Sequence, residues 1–144
     1  IGHGSLFLGL LIGFEAIEKA TGLIRPKMIG VQAKNCSPVY HQWKKMDSSV
    51  IMPTIADGTA VSEAVRGDEI VSKLKIDFDD IEVVNEASLA RSMTVLAKKG
   101  FYVEASSALV WAAAEQVSEK TSIDEEGDWV FILTGNGLKS IQEK

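Results

Sequence analysis

The sequence contains 144 residues, 46% of them hydrophobic and 24% charged, which is typical of one globular domain with its own core. The net charge of -5, without a basic run, excludes nucleic acid as an expected partner. A single cysteine, Cys36, excludes an internal disulfide and favours a cytoplasmic location. No metal site is expected either, and the apolar run 6–14 is too short to predict a membrane span.

The first half of the chain predicts helices around one buried strand. A helix is expected over 5–21, stopped by Gly22, and its apolar first half predicts cover on nearly all sides. The stretch 27–33 predicts a buried strand, and 37–45 predicts a helix with Ser37 as N-cap and Pro38 in the first position. Residues 46–65 are expected to be irregular, and 66–75 to form a helix.

The second half repeats this alternation. A strand is predicted over 80–85, and Asn85 then caps a helix over 86–99 whose inner face is Leu89, Met93, Leu96 and Ala97. A short extended piece (101–105), a helix (106–120), a buried strand (130–133) and a last helix (137–144) follow.

Alternating strands and helices predict an α/β fold with three layers, a mainly parallel sheet carrying helices on both faces. Only three or four strands are visible in the sequence. A strand immediately before Ile1 would complete a strand–turn–helix unit with the opening turn. We therefore expect an incomplete domain.

Two glycine turns fall where parallel sheets bind ligands, beyond the carboxyl ends of strands. The first, GHGS (2–5), leads directly into a helix, so its amides and the helix start could hold a phosphate; the alternative is a plain tight turn. The second, LTGNG (133–137), places the hydroxyl of Thr134 at the sheet edge; the alternative is a threonine that only ends a strand.

Five segments, in order, carry a resemblance to a known family: GHGSLFLGLLIGF, PKMIGVQAKNCSPVYHQWK, TIADGTAV, KKGFYVEASSA and LTGNGLK. Together they resemble the C-terminal part of the threonine synthases, pyridoxal-phosphate enzymes of the tryptophan synthase β-like superfamily (fold type II). The chain departs from that pattern at Asn136, where the family has histidine, and at Ala105, where proline is frequent.

The resemblance implies a site for pyridoxal 5′-phosphate. The cofactor phosphate would be held by the backbone of Gly2, His3, Gly4 and Ser5, with a further bond from the Ser5 hydroxyl. Thr134 would hydrogen-bond the pyridine nitrogen, and Glu104 and Ser106 would lie near the ring or support it. The family's Schiff-base lysine has no counterpart in the sequence, so no catalytic residue is assigned.

Residues 1–144 would then be a C-terminal fragment of a two-domain fold type II enzyme, and inactive alone. The parent would be a cytoplasmic homodimeric lyase of threonine biosynthesis, converting O-phospho-L-homoserine and water to L-threonine and phosphate. One alternative is another fold type II enzyme, such as a serine/threonine dehydratase or a phosphoserine-using synthase. Another is a non-catalytic binding or interaction domain built on this scaffold.

Among the remaining polar residues, the sequence favours structural roles. His41 is expected to have a surface or packing role, and the acidic stretch 124–128 to be a solvated loop rather than a metal site.

Overall fold

The computed structural model describes residues 1–47, 51–75, 78–120 and 127–140. In chain order it contains α1 (Ser5–Thr21), β1 (Ile29–Ala33), α2 (Pro38–Trp43), a 3₁₀ turn (Asp57–Thr59), α3 (Gly67–Lys73), β2 (Asp80–Val84), α4 (Glu86–Lys98), α5 (Ala105–Lys120) and a second 3₁₀ turn (Gly137–Ser140). The predictions for α1 to α5 and for both strands are confirmed, with shifts of one or two residues at some ends.

Strands β1 and β2 pair in parallel, in a register that sets Ile29 beside Asp80 and Ala33 beside Val84. Between them the chain passes through α2 and α3, the crossover that a parallel pair requires. Both strands therefore end at the same edge of the sheet.

The sheet is covered on both faces, which confirms the three-layer α/β architecture. On one face, Val31, Ala33 and Val84 pack against apolar side chains of α4 and α5. On the other face, Ile81 belongs to a second cluster that also takes side chains from α1, α2 and α3. None of the helices in the described ranges is long and apolar enough to cross a membrane.

Helix ends follow the local signals. The N-cap of α4, Asn85, accepts a hydrogen bond from the Ser88 amide at 2.9 Å, and Gly22 ends α1 in the left-handed region at φ 73°. Ser37 does precede α2, yet its side chain makes no capping bond.

Replacing Asn85 with alanine should lower the free energy of unfolding by about 1 kcal/mol, because the first turn of α4 loses the acceptor for a backbone donor. Chemical denaturation of the purified chain measures this loss. Asn85→Asp keeps an oxygen acceptor and serves as the control; an equal loss in both variants would contradict the capping role.

The predicted buried strand at Val130–Leu133 is wrong. The structure has no strand there, and Val130 is 85% exposed. The segment instead makes aromatic contacts: the Phe131 ring lies 5.5 Å from the Trp111 ring on α5 and 6.2 Å from the Trp129 ring. Aromatic packing on a helix, rather than pairing with a strand, holds this segment.

In the described chain, α1 is covered on one side only. Leu8 and Leu11 are buried, but Leu6, Ile12 and Ile17 are about half exposed. The described chain packs against one side of this helix, where α3 and the sheet lie, and leaves the opposite side open. Ala97, predicted on the inner face of α4, is likewise exposed.

The last predicted helix is replaced by the 3₁₀ turn Gly137–Ser140, and residues 141–144 lie outside the described chain. Most of the acidic stretch, 124–126, also lies outside it. His41 has a packing role in the structure: its Nδ1 atom lies 2.8 Å from the Ser37 carbonyl at the start of α2.

Candidate functional site

The opening turn is fixed in shape by Gly4. This residue has φ +96°, a conformation that strains any side chain, and a Cβ built there would lie 2.5 Å from Ile70 Cδ1. The carbonyl of the preceding His3 accepts the Arg66 amide at 3.0 Å. The turn is thus held against the start of α3 by packing and by a backbone hydrogen bond.

The helix that follows presents free amides. Leu8 N donates to Gly4 O at 2.9 Å as the first α-helical bond, so the amides of the preceding turn have no partner within the helix. No side chain caps α1, and its first turn has no acidic residue. Amide dipoles and the helix macrodipole therefore create a positive region at this end, suited to an anion.

The 3₁₀ turn 57–59 lies against the opening turn. A Cβ built on Gly2 would be 3.5 Å from Gly58 O and 3.4 Å from Thr59 Cα. On its other side, a Cβ built on Gly58 would be 2.8 Å from Ser106 Oγ. Glycine at 58 therefore lets the start of α5 lie close to the turn that contacts Gly2.

The segment 134–137 runs beside the residues that precede α5. Val103 and Asn136 form an isolated antiparallel bridge, and Gly137 N donates to Tyr102 O at 3.0 Å. Gly135 O accepts the Glu104 amide at 3.2 Å, and the Glu104 carboxylate occupies the space that a Cβ of Gly135 would need.

These contacts link all the residues that the sequence analysis selected. The series runs from the opening turn through Gly58 to Ser106 and Glu104, and from Glu104 through Gly135 to Thr134. The two glycine turns, about 130 residues apart in the sequence, thus belong to one continuous group of contacts. Thr134 and Ser5 are exposed, so their hydroxyls are open to a ligand.

Among the described residues, the buried side-chain oxygen of Ser106 has no hydrogen-bond partner. A buried hydroxyl in that state costs free energy unless a ligand or a water satisfies it. Ser106 Oγ lies against Gly58, so this unpaired hydroxyl belongs to the group of contacts described above.

Sequence reasoning missed three residues of the site: Gly58, Ser107 and Gly135. Ser107 is 1% exposed. Its Oγ accepts a hydrogen bond from Gly135 N–H at 2.8 Å and lies 3.3 Å from Thr134 Oγ1. The signals were present, since Gly58, Ser107 and Gly135 lie inside the segments TIADGTAV, KKGFYVEASSA and LTGNGLK.

Lysines are absent from the interior of the described chain. Each lysine in the ranges 1–47, 51–75, 78–120 and 127–140 is exposed or partly exposed, including Lys139 next to the second turn. A nucleophilic lysine needs burial or a neighbouring cation to lower its pKa. The described residues therefore offer no such nucleophile at this site.

Comparison with known proteins identifies the family of the chain. A family described as pyridoxal-phosphate dependent enzymes matches residues 1–135. The chain is 28% identical, over 96% of its length, to the threonine synthase of Methanocaldococcus jannaschii, and spans 36% of that relative. The crystal structure of a threonine deaminase from T.th. matches 83% of the chain with a TM-score of 0.63 and 19% identity, and the chain spans 42% of it; this last likeness shows the fold alone.

Proposed function

This chain belongs to the pyridoxal-phosphate dependent enzyme family, and from that premise we propose that its glycine turns form the phosphate and ring-nitrogen parts of a pyridoxal-phosphate site. The observation that carries the proposal is the continuous group of contacts from the opening turn to Thr134. It links the uncapped start of α1 to the segment that carries Thr134.

The residues present fit this cofactor. The uncapped start of α1 suits a phosphate. Ser106 Oγ is buried without a hydrogen-bond partner among the described residues, so it can take a polar ligand atom. Glycine at 58 and at 135 lets Ser106 and Glu104 lie directly against the backbone at those positions. In this proposal the amides of 2–5 and the Ser5 hydroxyl bind the phosphate, Thr134 binds the pyridine nitrogen, and Glu104 and Ser106 support the ring. When bound, the cofactor supplies the electron sink for chemistry at an amino-acid substrate.

Thr134 gives the site a neutral partner for the pyridine nitrogen. A carboxylate at that place would keep the nitrogen protonated, whereas a hydroxyl can donate to an unprotonated nitrogen. This suits elimination and replacement at the β and γ carbons of an amino acid.

For the parent protein we propose threonine synthase activity, the conversion of O-phospho-L-homoserine and water to L-threonine and phosphate. Support comes from the five ordered segments and from the 28% identity to a threonine synthase. Residues 1–144 would be its C-terminal part, working in a homodimer, with the Schiff-base lysine elsewhere in the parent.

The test uses the full-length protein that carries this chain. Purified with pyridoxal phosphate, it should release phosphate from O-phospho-L-homoserine and form threonine, both measured over time. Keto-acid formation from threonine or serine without phosphate release would instead establish the dehydratase alternative. A protein that binds no pyridoxal phosphate would refute the cofactor site and favour a non-catalytic domain.

The isolated chain provides a second measurement. With pyridoxal phosphate and borohydride, it should show no stoichiometric attachment at a single lysine by mass spectrometry, because its described lysines are exposed or partly exposed and none is set apart by burial. Stoichiometric attachment at one lysine would contradict the assignment of that nucleophile to another part of the parent.

A further inference from the structure

The hydroxyl of Ser107 is held at the centre of a small buried network. Ser107 is 1% exposed, and its Oγ accepts the Gly135 N–H at 2.8 Å and lies 3.3 Å from Thr134 Oγ1. The other polar group of Gly135, its carbonyl, accepts the Glu104 amide at 3.2 Å. The peptide that follows Thr134 is therefore fastened to the start of α5.

The direction of the hydrogen bond between the two hydroxyls follows from counting protons. A serine hydroxyl donates one hydrogen bond and can accept two. The Gly135 N–H takes one acceptor position, and within the described residues Thr134 Oγ1 is the partner found for the Ser107 proton. A buried hydroxyl proton left without an acceptor costs free energy, so Ser107 donates and Thr134 accepts.

The consequence concerns the proton of Thr134. Once Thr134 Oγ1 accepts from Ser107, its own O–H is free to donate, and Thr134 is exposed and so open to a ligand. We propose that Ser107 is a positioning residue that fixes the Thr134 hydroxyl as a hydrogen-bond donor to the pyridine nitrogen of pyridoxal phosphate. The nitrogen is thereby held unprotonated. This inference rests on the proposed function, because it requires Thr134 to face that nitrogen.

The neighbouring serine does not share this role. Ser106 lies one position away on the helix, so its side chain points about 100° around the axis, toward Gly58. Its Oγ makes no bond to Thr134 and has no partner at all among the described residues. The two consecutive serines therefore contact different parts of the site: Ser107 contacts Thr134, and Ser106 faces Gly58.

The experiment is a double-mutant cycle in the full-length protein, loaded with pyridoxal phosphate that carries ¹⁵N at the ring nitrogen. Ser107→Ala should weaken cofactor binding about fivefold, the effect of losing the one hydrogen bond from Thr134 to the ring nitrogen. The same change should move the ring-nitrogen resonance toward its protonated position. In a Thr134→Val background, Ser107→Ala should change neither quantity, because Ser107 acts through Thr134.

Ser92→Ala is the matched control. Ser92 is also fully buried and bonds a side chain through its hydroxyl, Glu115 Oε2 at 3.2 Å, but it lies on α4 outside the site. This variant should keep both the cofactor dissociation constant and the nitrogen resonance of the wild type. If Ser107→Ala fails to fold, Ser107→Cys replaces it, since a thiol keeps the volume but is a weak donor.

The outcomes separate the positioning role of Ser107 from the existence of the cofactor site. Independent losses from Ser107→Ala and Thr134→Val, or a wild-type nitrogen resonance in Ser107→Ala or Ser107→Cys, would overturn the positioning role while leaving the cofactor site intact. A wild-type protein that binds no cofactor would overturn the proposed function, and this inference with it.

Discussion

Replacing Asp79 with asparagine is expected to lower the free energy of unfolding by about 3–5 kcal/mol, because the variant leaves a buried arginine without its counter-charge. Both side chains of the Arg25–Asp79 ion pair are fully buried, and Arg25 Nη1 lies 2.9 Å from Asp79 Oδ1. The same carboxylate accepts the amides of Met28 at 3.0 Å and Lys75 at 2.8 Å. One side chain thus joins the segments that lead into β1 and β2.

Asp80→Asn is the control for this experiment. The Asp80 carboxylate also pairs with a cation, Lys44, but the two side chains are 39% and 40% exposed. Exposed pairs contribute about 0–1 kcal/mol, so this neighbouring change should cost far less. Denaturant unfolding of the two variants decides the matter. Equal losses of unfolding free energy in Asp79→Asn and Asp80→Asn would contradict the special role of the buried pair. The same holds if an Arg25→Met/Asp79→Leu double variant, which removes both buried charges, is less stable than Asp79→Asn.

The Asp79 pair also predicts how stability depends on pH. Burial alone raises the pKa of Asp79, but hydrogen bonds from Arg25 and from the Lys75 and Met28 amides outweigh it and bring that pKa below its ordinary value. A carboxyl with a lowered folded-state pKa stabilises the fold above its unfolded pKa of about 3.9 and loses that contribution as the pH falls through the lower, folded value. The stability gap between wild type and Asp79→Asn should therefore be constant at neutral pH and shrink below about pH 4.

Features set by nearby residues were predictable from the sequence. Asn85 needs only the amide three residues later to cap α4, and Gly22 needs only a left-handed φ to end α1. The alternation of strands and helices likewise predicted the three layers. In each case the physical cause lies within one or two helical turns of the residue concerned.

Features set by distant residues were not predictable in the same way. Arg25 and Asp79 are 54 positions apart, and nothing in either local sequence marks them as partners. The apolar run Val130–Leu133 predicts a buried strand, but in the structure Val130 and Ile132 are exposed, and Phe131 contacts Trp111 on α5.

The candidate site falls between these two cases. Resemblance selected the segments, and contacts in the fold connect them, but the sequence did not show which of two consecutive serines reaches Thr134. That choice depends on where α5 begins and how it is turned, since neighbouring positions differ by about 100° around a helix. The structure gives Ser107 this contact and turns Ser106 toward Gly58.

Replacing Gly4 with alanine is expected to lower the free energy of unfolding by about 2–5 kcal/mol and to weaken pyridoxal-phosphate binding at least tenfold in the full-length protein. Two costs add: a left-handed conformation at φ +96°, about 1–2 kcal/mol, and a clash with Ile70 Cδ1 at 2.5 Å, about 1–3 kcal/mol. A change of φ at residue 4, or a shift away from Ile70, moves the opening turn. The amides proposed to bind the phosphate move with it.

A comparison of glycines separates these costs. Gly22 has φ +73° with open space around a built Cβ, so Gly22→Ala should cost about 1–2 kcal/mol and leave cofactor binding unchanged. Gly9 lies within α1 with open space, so Gly9→Ala should raise stability by about 0.5–1 kcal/mol. Because Ile70→Val removes the clashing Cδ1 atom, Gly4→Ala should be less damaging in that background than in the wild type. If Gly4→Ala costs no more than Gly22→Ala, packing against Ile70 does not shape the turn.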